Sequence, residues 1–270
     1  MTLREVTAAL REAGCEDAAQ AARALFRHFE GLTDAQLFGR DPSSTDPRLA
    51  DAVARRAAGE PLDYILGFTD FYRERYLVTP DVLIPRPDTE LLVEQVIRRL
   101  PTGGRLLDLC TGSGCVALSV LSNTRDTTAT LVDVSEGALA VAAENARRLS
   151  LADRTRTVRA DVLREKIKGD FDVIASNPPY VNDAVYPTLS REIRREPRIA
   201  FVGGEDGMDF YRAIISVYAT RIPPHGCIAL EIGYDQGARI RALAERAGLA
   251  AEVLTDLAHH DRVAVLTPQP

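Results

Sequence analysis

Arg105-Leu106-Leu107-Asp108-Leu109-Cys110-Thr111-Gly112-Ser113-Gly114-Cys115 is the stretch that decides the fold. A short apolar strand runs to Leu109, a glycine-containing turn follows, and a helix starts over 114–121. An open α/β sheet presents backbone N–H groups to a ligand in this way. Gly112 and Gly114 let the backbone come close to that ligand. Taken alone, the same residues also fit a turn that merely needs glycine. Ala117 stands where a dinucleotide fingerprint would have its third glycine, and no Gly-Lys-Ser/Thr follows, so neither that fingerprint nor a phosphate-cradling loop is present.

Outward from this turn the pattern alternates. Strands are predicted over 128–133, 156–160, 171–176 and 227–232, with two late ones over 251–254 and 262–266. Helices are predicted over 135–149, 207–222 and 236–247. Strands alternating with helices imply a parallel, doubly wound sheet. Ligands bind such sheets at the carboxyl ends of the strands. Asp133 ends the second strand, where a carboxylate can accept both hydroxyls of a ribose. Asp161 follows the third, placed to accept from an adenine amino group. The bland reading of each aspartate is a cap or turn residue; an adenosine ligand without a pyrophosphate fits the set.

The first 60 residues read as a small helical module. Thr2-x-x-Glu5 is a capping box, Thr33 opens a short helix, and Asp46-Pro47 is a cap followed by proline in the first turn. Residues 61–85 are rich in β-formers, including Tyr64, Ile65, Phe71, Tyr72 and Tyr76, and predict a hairpin linker. Two prolines in Ile84-Pro85-Arg86-Pro87-Asp88-Thr89-Glu90 forbid a helix until Asp88, which is placed to cap a helix over 90–100. The sheet domain then occupies 86–270.

The most specific signal is Asn177-Pro178-Pro179-Tyr180, at the end of the strand over 171–176. Each proline drives the residue before it out of the helical region, so the backbone there is stiff and extended. Neither proline has an N–H, which leaves the Pro178 carbonyl able to face a site without an adjacent donor. A conjugated NH2 group is a poor nucleophile. The Asn177 side-chain oxygen and the Pro178 carbonyl can grip its two hydrogens and aim the nitrogen at a sulfonium methyl. Tyr180 can pack on the planar group. The expected cofactor is S-adenosylmethionine, released as S-adenosylhomocysteine.

Bulk properties narrow the classes. A net charge of −6 disfavours stable binding to nucleic acid. The four cysteines form no CxxC pair, so free thiols in a reducing cytoplasm are expected, with no metal site. No apolar run reaches membrane-spanning length. His259-His260 reads as surface histidines on a strand, and Arg191 to Arg198, where arginines alternate with acids, as a solvated ion-paired face.

With these residues in hand, the chain resembles the bacterial HemK/PrmC family, the protein-(glutamine-N5) methyltransferases of peptide chain release factors. The marks are Tyr64-Ile65-Leu66-Gly67, Ile84 to Glu90, Asp108 to Gly114, Asn177 to Tyr180, Glu196-Pro197-Arg198 and Leu230-Glu231-Ile232-Gly233. The resemblance implies a helical substrate-recognition domain, a hairpin linker and a seven-stranded Rossmann-like methyltransferase sheet with an antiparallel last strand. It implies that Cys110, Thr111, Gly112, Ser113 and Gly114 contact the methionine part of the cofactor and that Val162 supplies an aliphatic adenine contact where the family often has an aromatic. Asn177 to Tyr180 would hold the glutamine of a Gly-Gly-Gln loop, with Arg86 and Glu90 lining the same cleft. The family often has glycine at the position of Cys110. Three alternatives stand beside this reading: a DNA adenine-N6 methyltransferase, a glutamine methyltransferase of a ribosomal protein, and a cofactor-binding module without catalysis.

Overall fold

The structure, a computed structural model, describes residues 1–269. The chain divides into two compact units, Met1–Phe68 with Ser190–Arg195, and Thr69–Leu189 with the remainder from Glu196.

The first unit is helical: α1 (Leu3–Glu12), α2 (Ala18–Glu30), α3 (Asp34–Leu37), α4 (Pro47–Ala57) and α5 (Leu62–Leu66). Its boundaries follow local chemistry. Thr2 and Glu5 close the expected capping box, Thr33 and Gln36 form a second, and the Asp46 side chain caps α4 through the Arg48 N–H. Leu10, Leu25, Phe26, Leu37, Leu49 and Val53 fill its core. Arg56 is buried among them and pairs with Asp17 at 2.7 Å and Glu192 at 2.9 Å.

One expectation is corrected at the junction. Tyr64 and Ile65 lie in α5, bracketed by Pro61 and by Gly67 in the left-handed region, so the hairpin is confined to β1 (Phe68–Phe71) and β2 (Glu74–Leu77). β-propensity there yields to the helical spacing that sends both side chains into the interior.

The second unit carries the sheet: β3 (Arg105–Leu109), β4 (Thr128–Asp133), β5 (Thr155–Arg159), β6 (Val173–Ser176), β7 (Cys227–Glu231), β8 (Leu249–Thr255) and β9 (Asp261–Pro268). Their order is β5-β4-β3-β6-β7-β9-β8, with β9 antiparallel to both neighbours and the remaining pairings parallel. Two buried clusters cover its faces, one around α6 (Glu90–Arg99), α7 (Cys115–Ser122) and α8 (Glu136–Arg148), the other around α9 (Asp209–Tyr218) and α10 (Gly237–Arg246). The expected doubly wound, seven-stranded architecture is therefore present.

Register positions the site. Leu109 lies opposite Val132 on one side and Ser176 on the other, so Cys110, Asp133 and Asn177 emerge side by side at one edge. Ser176 lies opposite Leu230, which brings Glu231 to the same edge.

Two smaller expectations are also corrected. Asp88 does not cap α6: Pro87–Thr89 forms a 3-10 turn, and Asp88 pairs with Arg262 at 3.3 Å instead. His259 and His260 lie in the turn between β8 and β9 rather than on a strand, because Asp256 accepts from the backbone N–H groups of Ala258 and His260 and closes a tight loop. No helix among the described residues is long and apolar enough to cross a membrane.

Candidate active site

The turn after β3 is built from its own backbone. The Thr111 N–H reaches the Val132 carbonyl at 2.9 Å, its hydroxyl donates to buried Asp108, and the Gly114 N–H returns to the Thr111 carbonyl at 2.8 Å. Gly114 has φ +81, and a Cβ there would press on Leu118, Leu131 and Ala142 at 3.1–3.3 Å, so glycine is needed both for the turn and for seating α7. Cys110 adopts φ +57, a region where a side chain is strained. Burial pushes its thiol well above the usual range.

Asp133 anchors the turn from the neighbouring strand. Its two oxygens accept from the Gly112 N–H at 2.9 Å and the Ser135 N–H at 3.0 Å. Burial raises its pKa, against the hydrogen bonds of Ser135, Gly112 and Val134. Two carboxylate oxygens offer about four acceptor sites, so capacity remains toward the cavity.

That cavity measures about 380 Å³, and Asp133, Asp161, Cys110, Gly112, Asn177 and Pro179 line it with the apolar side chains of Val162, Leu163, Ile199 and Val202. A smaller pocket of about 40 Å³ shares Cys110, Gly112 and Asn177 and is closed by Pro85, Thr89, Thr111 and Ser113. The Ser113 hydroxyl is buried there with no nitrogen or oxygen partner, beside the weakly bonding Cys115 thiol. Acceptor carboxylates beside apolar walls, with a weakly partnered hydroxyl at one end, match a nucleoside bearing a polar amino-acid tail. The residues therefore fit S-adenosylmethionine.

Asn177 stands where the two pockets meet. Its Nδ2 donates to the Thr89 hydroxyl at 3.1 Å, and that hydroxyl donates to Glu231 Oε2 at 2.6 Å. Tyr180 donates to Glu231 Oε1 at 3.4 Å. Burial drives the Glu231 pKa up to about 7, Thr89 and Arg262 opposing. Burial and the Glu231 charge also push the Tyr180 phenol upward.

The backbone of the tetrapeptide is braced from behind. The Val181 N–H reaches the Phe201 carbonyl at 2.7 Å, and the Gly203 N–H reaches the Val181 carbonyl at 2.9 Å. A Cβ on Gly203 would lie 2.4 Å from the Pro179 carbonyl oxygen, so only glycine lets this loop lie against the prolines. Gln236 donates to the Tyr180 carbonyl at 3.2 Å.

Known proteins resemble this chain over most of its length. Residues 87–199 match the Methyltransferase small domain family, and residues 2–67 match the PrmC N-terminal domain family. A release factor glutamine methyltransferase of Moorella thermoacetica is 39% identical over 274 residues, covering 97% of this chain and 97% of its own length. Another, of Nitratidesulfovibrio vulgaris, is 43% identical over 197 residues, covering 72% of this chain and 67% of its own. The chain belongs to the release factor glutamine methyltransferase family.

Solved structures agree in fold. The hMettl16 catalytic domain superposes with a TM-score of 0.59 at 16% identity, covering 93% of this chain and 92% of its own. A methyltransferase from Pyrococcus furiosus gives 0.53 at 19% identity, covering 83% and 99%.

The expected residues divide between these pockets and their surroundings. Cys110, Gly112, Asp133, Asp161, Val162, Asn177 and Pro179 line the main cavity, and Thr111 and Ser113 the smaller pocket. Gly114, Pro178 and Tyr180 line neither pocket. Asp161 also accepts from the Leu163 N–H at 2.9 Å and pairs with Arg164 at 3.3 Å, so it closes a turn as well as facing the cavity. Arg86 and Glu90 line neither pocket. Arg86 pairs with Glu196, whose other oxygen accepts from the Ile84 N–H at 2.9 Å, and Glu90 accepts from the Tyr72 N–H at 3.0 Å in the hairpin turn. Glu196 is thus buried, unlike the solvated face expected for its segment.

Sequence reasoning missed three supports. Asn145 of α8 donates to the carbonyls of Leu77 and Ser113 and ties hairpin to turn. Its signal was an amide on the buried face of an Ala-rich helix. Gly203 was visible only as one of a glycine pair, and Thr89 only as a member of a quoted motif.

Proposed function

We propose that this protein transfers the methyl group of S-adenosylmethionine to the side-chain amide nitrogen of the glutamine in the Gly-Gly-Gln motif of bacterial release factors. The observation that carries the reading is Asn177, held at the junction of the two pockets with its NH2 turned away toward Thr89. Its oxygen is thereby available to an incoming NH2 group.

When bound, S-adenosylmethionine supplies an electrophilic methyl on a positively charged sulfur. Asp133 holds the ribose hydroxyls, and Asp161 with Val162 receives the adenine. Cys110 to Gly114 present backbone, and Ser113 its hydroxyl, to the amino-acid end. Asn177 Oδ1 and the Pro178 carbonyl accept the two amide hydrogens of the substrate. They orient the nitrogen lone pair and stabilise the positive charge that grows on nitrogen as the bond forms. The methylated nitrogen then loses one proton to solvent, so no strong base is required. Pro179 and the Gly203 loop keep the two acceptors fixed, which avoids reorganisation at the moment of transfer.

The helical unit serves release-factor recognition in this reading, supported by the match of residues 2–67. The substrate works in translation, so the cytoplasm is where the two proteins meet. The test is mass spectrometry of the Gly-Gly-Gln peptide after incubation of a release factor with this protein and S-adenosylmethionine. One added methyl on the glutamine is expected. An unchanged peptide together with methylated duplex DNA would transfer the assignment to adenine.

A further inference from the structure

The feature that the chemistry above leaves unused is a buried carboxylate. Glu231, at the end of β7, is 2% exposed, and Thr89, before α6, is 1% exposed. Both connect to Asn177 through one line of hydrogen bonds: Asn177 Nδ2 to Thr89 Oγ1 at 3.1 Å, then Thr89 Oγ1 to Glu231 Oε2 at 2.6 Å. The other Glu231 oxygen accepts from Tyr180, and the Glu231 backbone carbonyl lies 3.0 Å from the Tyr211 hydroxyl. The carboxylate is thus held on both sides.

Proton counting fixes the direction of that line. A threonine hydroxyl has one proton and two lone pairs, and an ionised carboxylate only accepts. Above about pH 7 Glu231 is ionised, and hydrogen bonds to a charged partner are roughly twice as strong as neutral ones, so its Oε2 accepts from the Thr89 hydroxyl. Thr89 then has only lone pairs to offer Asn177. An amide turned by half a rotation would set oxygen against oxygen at Thr89, and it would present N–H groups to an incoming NH2. A free asparagine has no strong preference between the two orientations, so something must choose.

We propose that Thr89 and Glu231 are positioning residues that lock the Asn177 amide with its oxygen toward the substrate, so that acceptance of an NH2 group is set from the ends of β7 and the Thr89 turn as well as by the tetrapeptide. The inference rests on the reading of Asn177 as the acceptor for the substrate amide. Thr89 is suited to the task because it stands in a 3-10 turn whose hydroxyl performs no helix cap.

The test compares Thr89→Val, which keeps shape and removes the hydroxyl, with Thr89→Ser, which restores it. Thr89→Val is expected to lower kcat for release-factor methylation on the order of 10- to 100-fold, with KM and S-adenosylmethionine affinity altered by less than about threefold. Thr89→Ser recovers kcat to within about threefold of the parent. Glu231→Gln, which no longer compels the hydroxyl proton one way, lowers kcat in the parent but adds nothing to Thr89→Val, because both act through one path. A second readout needs neither substrate nor cofactor. The side-chain NH2 of Asn177, followed by nitrogen-15 NMR in the unliganded protein, exchanges slowly in the parent and in Thr89→Ser and quickly in Thr89→Val. Equal kcat in parent and Thr89→Val, a Thr89→Ser variant as slow as Thr89→Val, additive losses in the double variant, or unchanged amide exchange would each overturn the lock. The exchange measurement decides the matter even if release factors proved not to be the substrate, and it reads the Glu231→Gln protein equally well should Thr89→Val fail to fold.

Discussion

Replacing Asn177 by alanine removes one of two acceptors for the substrate amide while leaving the cofactor cavity nearly whole. A hydrogen bond to a group that gains charge contributes about 1.5–3 kcal/mol, and loss of a preorganised transition-state contact costs about 2.7–4 kcal/mol in comparable sites. At about 1.36 kcal/mol per tenfold in rate, kcat should fall by roughly 10²- to 10³-fold. Asp133, Gly112 and Ser113 remain in place, so S-adenosylmethionine affinity should change by less than about fivefold, near 1 kcal/mol. Stability should fall only modestly, by about 1 kcal/mol, because Thr89 keeps its bond to Glu231. Methyl transfer to a release factor measured under cofactor saturation gives kcat, isothermal titration gives affinity, and a thermal melt gives stability. The reasoning fails if kcat stays within about threefold, or if turnover and cofactor binding fall in parallel.

Other changes probe the remaining parts. Asp133→Ala should weaken S-adenosylmethionine binding by roughly 10- to 100-fold, since it deletes charged acceptors and frees the Gly112 N–H; titration with unchanged affinity would argue against the ribose role. Gly203→Ala places a Cβ 2.4 Å from the Pro179 oxygen and 2.9 Å from Tyr180 Cα, so the tetrapeptide must move, with kcat expected to drop on the order of 10²-fold while stability falls by about 1–3 kcal/mol. Burial drives both Asp108 and Glu231 up to about 7, whereas the unfolded chain ionises them near about 4. Their share of stability is therefore complete below that lower value and is lost as pH rises through about 7. Glu231→Gln should accordingly be more stable than the parent at about pH 8, by about 1–3 kcal/mol in denaturant unfolding, and approach it at about pH 5; a pH-independent difference would contradict the burial argument.

Much of this was legible in the residues because the signals were local. The capping residues Thr2, Thr33 and Asp46 set helix starts within their own turns. The apolar runs ending at Leu109 and Asp133 gave β3 and β4 directly, because central strands are buried on both faces and need no partner to be recognised. The tetrapeptide declared itself through proline stereochemistry. What escaped was set by contacts far apart in sequence. Thr89 and Glu231 are separated by 142 positions, and nothing near either announces the other. Tyr64 and Ile65 look like strand residues until Pro61 and Gly67 confine them to one short helix. Glu196 looks solvated until Ile84 and Arg86 claim both its oxygens. Arg86 and Glu90 were drawn into the cleft by their motif, and their observed partners hold backbone instead.

The most direct measurement is a crystal structure of this protein with S-adenosylhomocysteine and a glutamine-containing Gly-Gly-Gln peptide. Asn177 Oδ1 and the Pro178 carbonyl should each lie within about 3 Å of the glutamine amide nitrogen. A peptide amide bound elsewhere, or an Asn177 that offers its NH2 to the substrate, would contradict the account.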